Sequence, residues 1–265
     1  MKKYINSVLY LCAFAAFALF IDCSAKTPKI SIITSVYDGD RFIDGFLEDI
    51  VCQTIFDQCE LIIINANSPG HEEPIIKHYA QQYPNIIYHH LEYDPGLYGV
   101  WNIAIGLARG KYITNANIDD RLKHDCYEVH AKALDNNPQI DLVYSDYYIT
   151  FHANKKFVEV KKAKSSDLPS FSIKNLWKKC LPNNHPMWRK SMHDKCGLFS
   201  EKYKSAGDME MWFRAVKHGS KFLKVQGVYG LFYFNPKGIS TSFANRARNK
   251  KESIEIRELY ADLGD

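Results

Sequence analysis

The sequence predicts an α/β domain built on a mixed, mainly parallel sheet flanked by helices. Three observations predict it: apolar strand-like runs without polar alternation, helical segments between those runs, and polar clusters where the runs end. Residues 30–36 form a continuous, largely β-branched run, as a strand buried on both faces requires. Tyr37-Asp38-Gly39-Asp40 is turn chemistry. Residues 41–53 then carry Phe42, Phe46 and Ile50 at helical spacing. A second apolar strand over 60–64 ends at Asn65-Ala66-Asn67-Ser68-Pro69-Gly70. Next come a helix over 72–83, a strand over 86–90, and an Ala-rich helix over 99–109 with Gly110 as its C-terminal cap. Strands over 111–114 and 141–145 flank a helix over 123–136.

Beyond Thr150 the pattern loosens. Residues 155–164 are basic and alternating, as a solvated strand face would be, and 165–172 are a Ser- and Pro-containing loop. Residues 183–188 lead into a helix near 209–218, and 222–234 read as a strand pair broken at Gly227 and Gly230. A charged helix covers 246–263. In parallel sheets, ligands bind beyond the carboxyl ends of the strands. Tyr37-Asp38, residues 65–68, Asp94 and residues 115–120 all fall at such ends, which places a binding cleft there.

Composition narrows the class. With 265 residues, 46% hydrophobic and 24% charged, the chain suits one large domain with an appendage. A net charge of +4 spread along the sequence gives no case for nucleic acid. The seven cysteines are odd in number and irregular in spacing, which is a poor disulfide framework, and no C-x-x-C pair suggests zinc. Met1-Lys2-Lys3, an apolar run over 8–21 and Asp22-Cys23-Ser24-Ala25 match a signal peptide cleaved after Ala25. An uncleaved anchor is the competing reading, and either implies a secretory or membrane-associated location. The predicted organisation is residues 1–25 as signal peptide or anchor, 29–235 as the main domain, and 246–263 as the C-terminal helix.

Two carboxylate clusters carry the chemistry. Asp119-Asp120 follows the strand over 111–114, where acids can hold a hard cation against a diphosphate. The same pair also suits a helix N-cap. Gly207-Asp208-Met209-Glu210 precedes an aromatic helix. One of its acids can take a proton from a hydroxyl nucleophile, or simply complement the helix dipole.

The ordered set of motifs resembles the inverting family 2 glycosyltransferases of the GT-A fold. It comprises residues 32–37 with Gln53-Thr54, residues 60–68, the stretch from Asp94 to Ile105, and Ala108 to Ile113. Asn117-Ile118-Asp119-Asp120, His185-Pro186, Gly197-Leu198-Phe199 and residues 208–214 complete it. The resemblance spans about residues 29–234 and implies a Rossmann-like sheet followed by an acceptor-side portion and a terminal helix. It implies a nucleotide-sugar donor and a glycan or lipid-linked acceptor. Thr34, Ser35 and Tyr37 would then lie beside the nucleotide. Asp94 would line the donor pocket with Asn102 bracing its loop. Asp120 would coordinate Mg²⁺ or Mn²⁺ with Asp119 near the sugar or ribose, and Asp208 would be the general base. His185, Glu210 and Trp212 fall on the acceptor side.

The sequence departs from the family where two acids usually follow the second strand. Asn65-Ala66 stands there, and Ala66 cannot read a base, leaving that task to Asn65 or Asn67. A competing reading is therefore an exported, catalytically weakened sugar-binding or accessory protein that keeps the fold.

Overall fold

The computed structural model describes residues 27–160 and 163–264, so the predicted N-terminal signal or anchor lies outside the described residues. Among the described residues, no helix is long and apolar enough to cross a membrane. The chain runs β1 (Ile30–Val36), α1 (Ile43–Val51), β2 (Cys59–Ala66), α2 (Glu72–Gln82), β3 (Ile86–Leu91), α3 (Leu97–Leu107) and β4 (Tyr112–Asn115). It continues through β5 (Arg121–Leu122), α4 (Cys126–Asn136), β6 (Leu142–Thr150), α5 (Ile173–Lys178), β7 (Met187–Arg189) and α6 (Met192–Cys196). It ends with α7 (Gly207–Lys217), β8 (Phe222–Tyr233) and α8 (Arg246–Leu259).

One eight-stranded sheet has the order β3-β2-β1-β4-β7-β6-β8-β5. Strands β1 to β4 are parallel, β7 inserts antiparallel between β4 and β6, and β8 pairs parallel to β6. The sheet is thus mainly parallel, as predicted. Strand β2 shows why its sequence is apolar throughout. Ile62, Ile64 and Ala66 enter a core with Trp101, Trp188 and Trp212, whereas Cys59, Leu61 and Ile63 enter the opposite core with Phe46, Ile76 and Tyr127. A strand covered by helices on both faces needs apolar residues at both parities.

Local expectations were corrected at three places. Helix α3 ends at Leu107, with Ala108 as its cap, so Gly110 does not terminate it. A Cβ on Gly110 would lie 2.6 Å from the Ser31 backbone nitrogen, so this glycine serves close approach of the chain to β1. The expected strand pair over 222–234 is a single strand, β8, whose register against β6 slips between Ser145 and Tyr147. Its glycines mark that bulge rather than a hairpin turn. The basic segment after Lys155 forms a short 3-10 turn at Phe157–Glu159, not a strand.

Candidate active site

The order β2-β1-β4 places a topological switch point between β1 and β4, where consecutive connections leave the sheet in opposite directions. The loops after β1, β2 and β4 therefore converge at one edge. Buried Glu72, at the start of α2, holds the first two together. It accepts the Gly39 backbone N–H and the Ser68 hydroxyl (2.9 Å), while Ser68 Oγ itself accepts the Asp38 N–H at 2.9 Å. Asp38 and Asn67 adopt φ of 50° and 54°. Asn and Asp tolerate that left-handed region through short polar side chains.

These loops sort the expected nucleotide contacts. Tyr37 is 52% exposed, and Ser35 is half-buried. Thr34 is fully buried with no partner for Oγ1 among the described residues, so the strand turns it into the core, away from any donor. Asn65 is also buried: its Oδ1 accepts the Ser68 N–H at 2.8 Å and its Nδ2 donates to the Tyr88 hydroxyl at 3.1 Å. That amide braces its own loop, whereas Asn67 is exposed. Asp94 is exposed and accepts the Gly96 N–H at 2.7 Å, folding the turn into α3. Asn102 braces a different loop from the expected one. Its amide exchanges two hydrogen bonds of 2.9 Å with the Phe199 backbone and reaches Glu201 at 3.1 Å.

The carboxylates after β4 are unequal. Asp120 is buried, its Oδ1 accepting the Tyr233 N–H at 2.9 Å and its Oδ2 the Asn117 amide at 3.0 Å. Burial, and then the neighbouring Asp119, push its carboxyl well above the usual carboxylate range. Asp119 is half-buried; Oδ2 accepts the Asn235 amide at 2.9 Å, and no protein hydrogen bond falls on Oδ1 among the described residues. Arg121 fixes the turn from below, donating to the carbonyls of Ile118 (2.9 Å) and Asp120 (2.6 Å). Arg121 and Asn235 are not among the site residues expected from the sequence, although an arginine directly after two acids is a usable signal.

Asp208 sits in the first turn of α7, half-buried. Its Oδ1 accepts the Tyr98 hydroxyl at 3.2 Å and the Met209 N–H at 2.8 Å, which leaves Oδ2 without a protein partner among the described residues. Burial raises its carboxyl above the ordinary value, against the hydrogen bonds from Met209 and Tyr98. Gly207 permits the close approach: a Cβ there would meet the Tyr98 ring at 2.7 Å. Both clusters approach the same pair of side chains: after burial itself, Asp120 helps push the Tyr147 hydroxyl up and Asp208 helps push the Cys180 thiol up.

The expected acceptor-side residues are corrected. Glu210 is buried, its carboxylate bound by Arg214 at 2.9 Å and by the Tyr260 hydroxyl at 2.6 Å. Trp212 packs in the core against Trp188, ring centroids 5.5 Å apart. On a helix buried nearly all round, neither residue is left for a ligand. His185 is buried with both ring nitrogens unpartnered among the described residues, and burial pushes its imidazole down to about 3, so it is neutral. Two surface hollows, of about 310 and 520 Å³, lie at the opposite, amino end of the strands, around Lys111 and Lys190 and around Phe56 and Pro84.

No three His, Cys, Asp or Glu side chains among the described residues are grouped to enclose a metal. The donor set fits instead a hard divalent ion that takes one carboxylate oxygen and completes its shell with phosphate and water.

A mainly parallel sheet with a switch point and acidic residues beyond the carboxyl ends of its strands is the arrangement in which α/β folds place a ligand site. The profile of glycosyl transferase family 2 matches residues 31–194, and the chain belongs to that family. It is therefore a glycosyltransferase with the GT-A fold. An uncharacterized glycosyltransferase of Methanocaldococcus jannaschii is 29% identical over 199 residues, covering 74% of this chain and 67% of the relative. The minor teichoic acid biosynthesis protein GgaB of Bacillus subtilis is 32% identical over 115 residues, covering 43% of this chain and 13% of the relative. Among solved structures, S. aureus TarS in complex with UDP-GlcNAc superposes with a TM-score of 0.71 at 17% identity, covering 89% of this chain and 66% of that one. A mannosyltransferase from Pyrobaculum calidifontis with GDP-Man and Mn²⁺ superposes with a TM-score of 0.66 at 14% identity, covering 89% and 68%. At such identities the superpositions establish the shared fold.

Proposed function

We propose that the chain transfers a sugar from a nucleoside-diphosphate sugar to an acceptor hydroxyl with inversion, using Asp208 as general base. The observation that carries this reading is the asymmetry of the Asp208 carboxylate. One oxygen is anchored by Tyr98 and Met209, the other is open, and burial makes it more basic than a solvated aspartate. Oδ2 takes the proton of the acceptor's hydroxyl as the hydroxyl oxygen, not the carboxylate, bonds to the anomeric carbon. The bond from that carbon to the diphosphate breaks on the opposite face, and the nucleoside diphosphate leaves.

Asp119 offers its open oxygen to a divalent ion on the diphosphate, and buried Asp120 holds the turn that presents it. Mg²⁺ or Mn²⁺ there would neutralise the charge developing on the leaving group. Exposed Tyr37 provides a stacking face for the nucleobase, and Asn67 an amide for its edge. UDP and GDP sugars are the donors to try first, being those bound in the structural neighbours. The acceptor is a glycan or a lipid-linked saccharide, in polysaccharide or glycolipid synthesis, with residues 1–25 bringing the domain to or across a membrane.

The test is calorimetric titration with UDP, GDP, CDP and dTDP, each with and without Mn²⁺, followed by donor turnover. The expected result is Mn²⁺-dependent binding of one nucleotide, retained in Asp208→Asn while transfer is lost by more than about 10³-fold. Asp119→Ala should abolish the Mn²⁺ dependence. Full transfer by Asp208→Asn would overturn the base. Binding of none of the four nucleotides by the folded chain would favour an accessory protein, which the engaged Asn65 and the apolar Ala66 would then explain.

A further inference from the structure

Helix α8 lies beyond the catalytic sheet, and its residues are absent from the mechanism above. Yet Glu252, near its middle, is only 8% exposed. A carboxylate withdrawn from water needs partners, and its partners are all in the segment that leads to Asp208. Glu252 accepts the backbone N–H groups of Lys204, Ser205 and Ala206, at 2.9, 2.9 and 3.0 Å, and the Ser205 hydroxyl at 3.0 Å. These bonds hold the carboxyl below the ordinary value despite burial.

The same helix reaches the other side of the cleft. Asn249, one turn earlier, shares the single Ser205 hydroxyl proton with Glu252, its Oδ1 lying 2.8 Å from Ser205 Oγ, and donates to the carbonyls of Ile239 and Ser240 at 3.1 and 3.2 Å. The loop that holds those carbonyls begins at Asn235, whose amide grips Asp119. Just past α8, the Tyr260 hydroxyl binds Glu210 of α7. A continuous hydrogen-bonded chain therefore runs from Asp119 through the 235–245 loop and α8 to the turn carrying Asp208.

We propose that Glu252 is a positioning residue for the catalytic base: it fixes the 204–206 turn so that Asp208 stands at the correct height over the donor carboxylates. It touches no substrate. Its three N–H partners are consecutive, so the turn is clamped as a unit and α7 starts from a fixed point. A displacement of the base by about 1 Å is enough to cost on the order of 100-fold in rate. The inference rests on the glycosyltransferase reading for its consequence, though not for the clamp itself.

The test compares Glu252→Gln, which keeps size and turns N–H against N–H, with Ser205→Ala as a milder second variant. Amide exchange at Lys204, Ser205 and Ala206 is read on the full chain without any substrate. It should accelerate by at least about tenfold in Glu252→Gln, while amides in β1 and β2 stay unchanged. With the donor identified above, kcat should fall roughly 10- to 100-fold with donor KM within about threefold, because the donor side remains intact. Placed on Asp208→Asn, the same change should cause no further loss. Equal losses in kcat and KM, or an additive loss on Asp208→Asn, would reduce Glu252 to a general stabiliser and overturn the proposal. Unchanged amide exchange would overturn the clamp itself. If the native chain turns over no donor while exchange responds as expected, the clamp stands and the transferase reading fails instead.

Discussion

Tyr98→Phe removes one oxygen atom next to the proposed base and leaves the ring in place. The aromatic packing should survive, since Tyr98 meets Trp101 edge-on at 5.4 Å and stacks on Phe199 at 5.8 Å through its ring alone. What disappears is the hydroxyl donating to Asp208 Oδ1 at 3.2 Å. A hydrogen bond to a charged group contributes about 1.5–3 kcal/mol, and the length of this one places it at the low end. That bond favours the ionised carboxylate, so its loss raises the Asp208 value further from its already elevated position. At 1.36 kcal/mol per pKa unit, the rise is about one unit. Activity requires the ionised form and is lost as pH falls through that value, so the acid limb of the kcat/KM profile should move about one pH unit upward. The plateau at high pH should stay within about threefold of the native chain. The assay is release of nucleoside diphosphate at saturating acceptor between pH 4.5 and 9 (roughly the range where acidic limbs of this kind are read). An unmoved limb, or a plateau lowered a hundredfold, would refute the assignment of Tyr98 as a partner of the base.

Two further outcomes are expected. Gly207→Ala brings a Cβ to 2.7 Å from the Tyr98 ring, and urea unfolding should show a loss of about 1–3 kcal/mol. Asp49, whose Oδ2 accepts the Leu122 N–H at 2.9 Å, is pushed by burial from 3.8 to about 6. The folded chain then binds that proton more tightly than the unfolded one. The stability attached to Asp49 is therefore full below 3.8 and is lost as pH rises through about 6. Asp49→Asn should make the chain more stable than the native one at pH 7–8 and erase the difference near pH 4, as followed by urea unfolding at each pH (about the window set by the linkage relation). A difference that does not vary with pH would show that Asp49 titrates normally.

The sequence by itself determined the sheet, the cleft and the carboxylates. Parallel strands covered on both faces must be apolar at both parities, so β1 and β2 announce themselves in the linear order of residues. Loops at the carboxyl ends of parallel strands carry polar groups, so Asp119 and Asp120 are legible as candidates, whereas Asp208, in the first turn of α7, is picked out only by the motif resemblance. Tertiary structure alone decided which atoms are free. Asp119 and Asp120 are neighbours in sequence, yet one carboxylate keeps an open oxygen while the other is closed by Tyr233, more than a hundred residues away. Asn65 could read a base by composition but is spent on Ser68 and Tyr88, and Glu210 and Trp212 sit near the base in sequence but point into the core. Glu252 looks like one more acid on a charged helix. Its role exists only because α8 folds back onto the turn before Asp208, and a hydrogen bond across that distance in sequence leaves no periodicity to read.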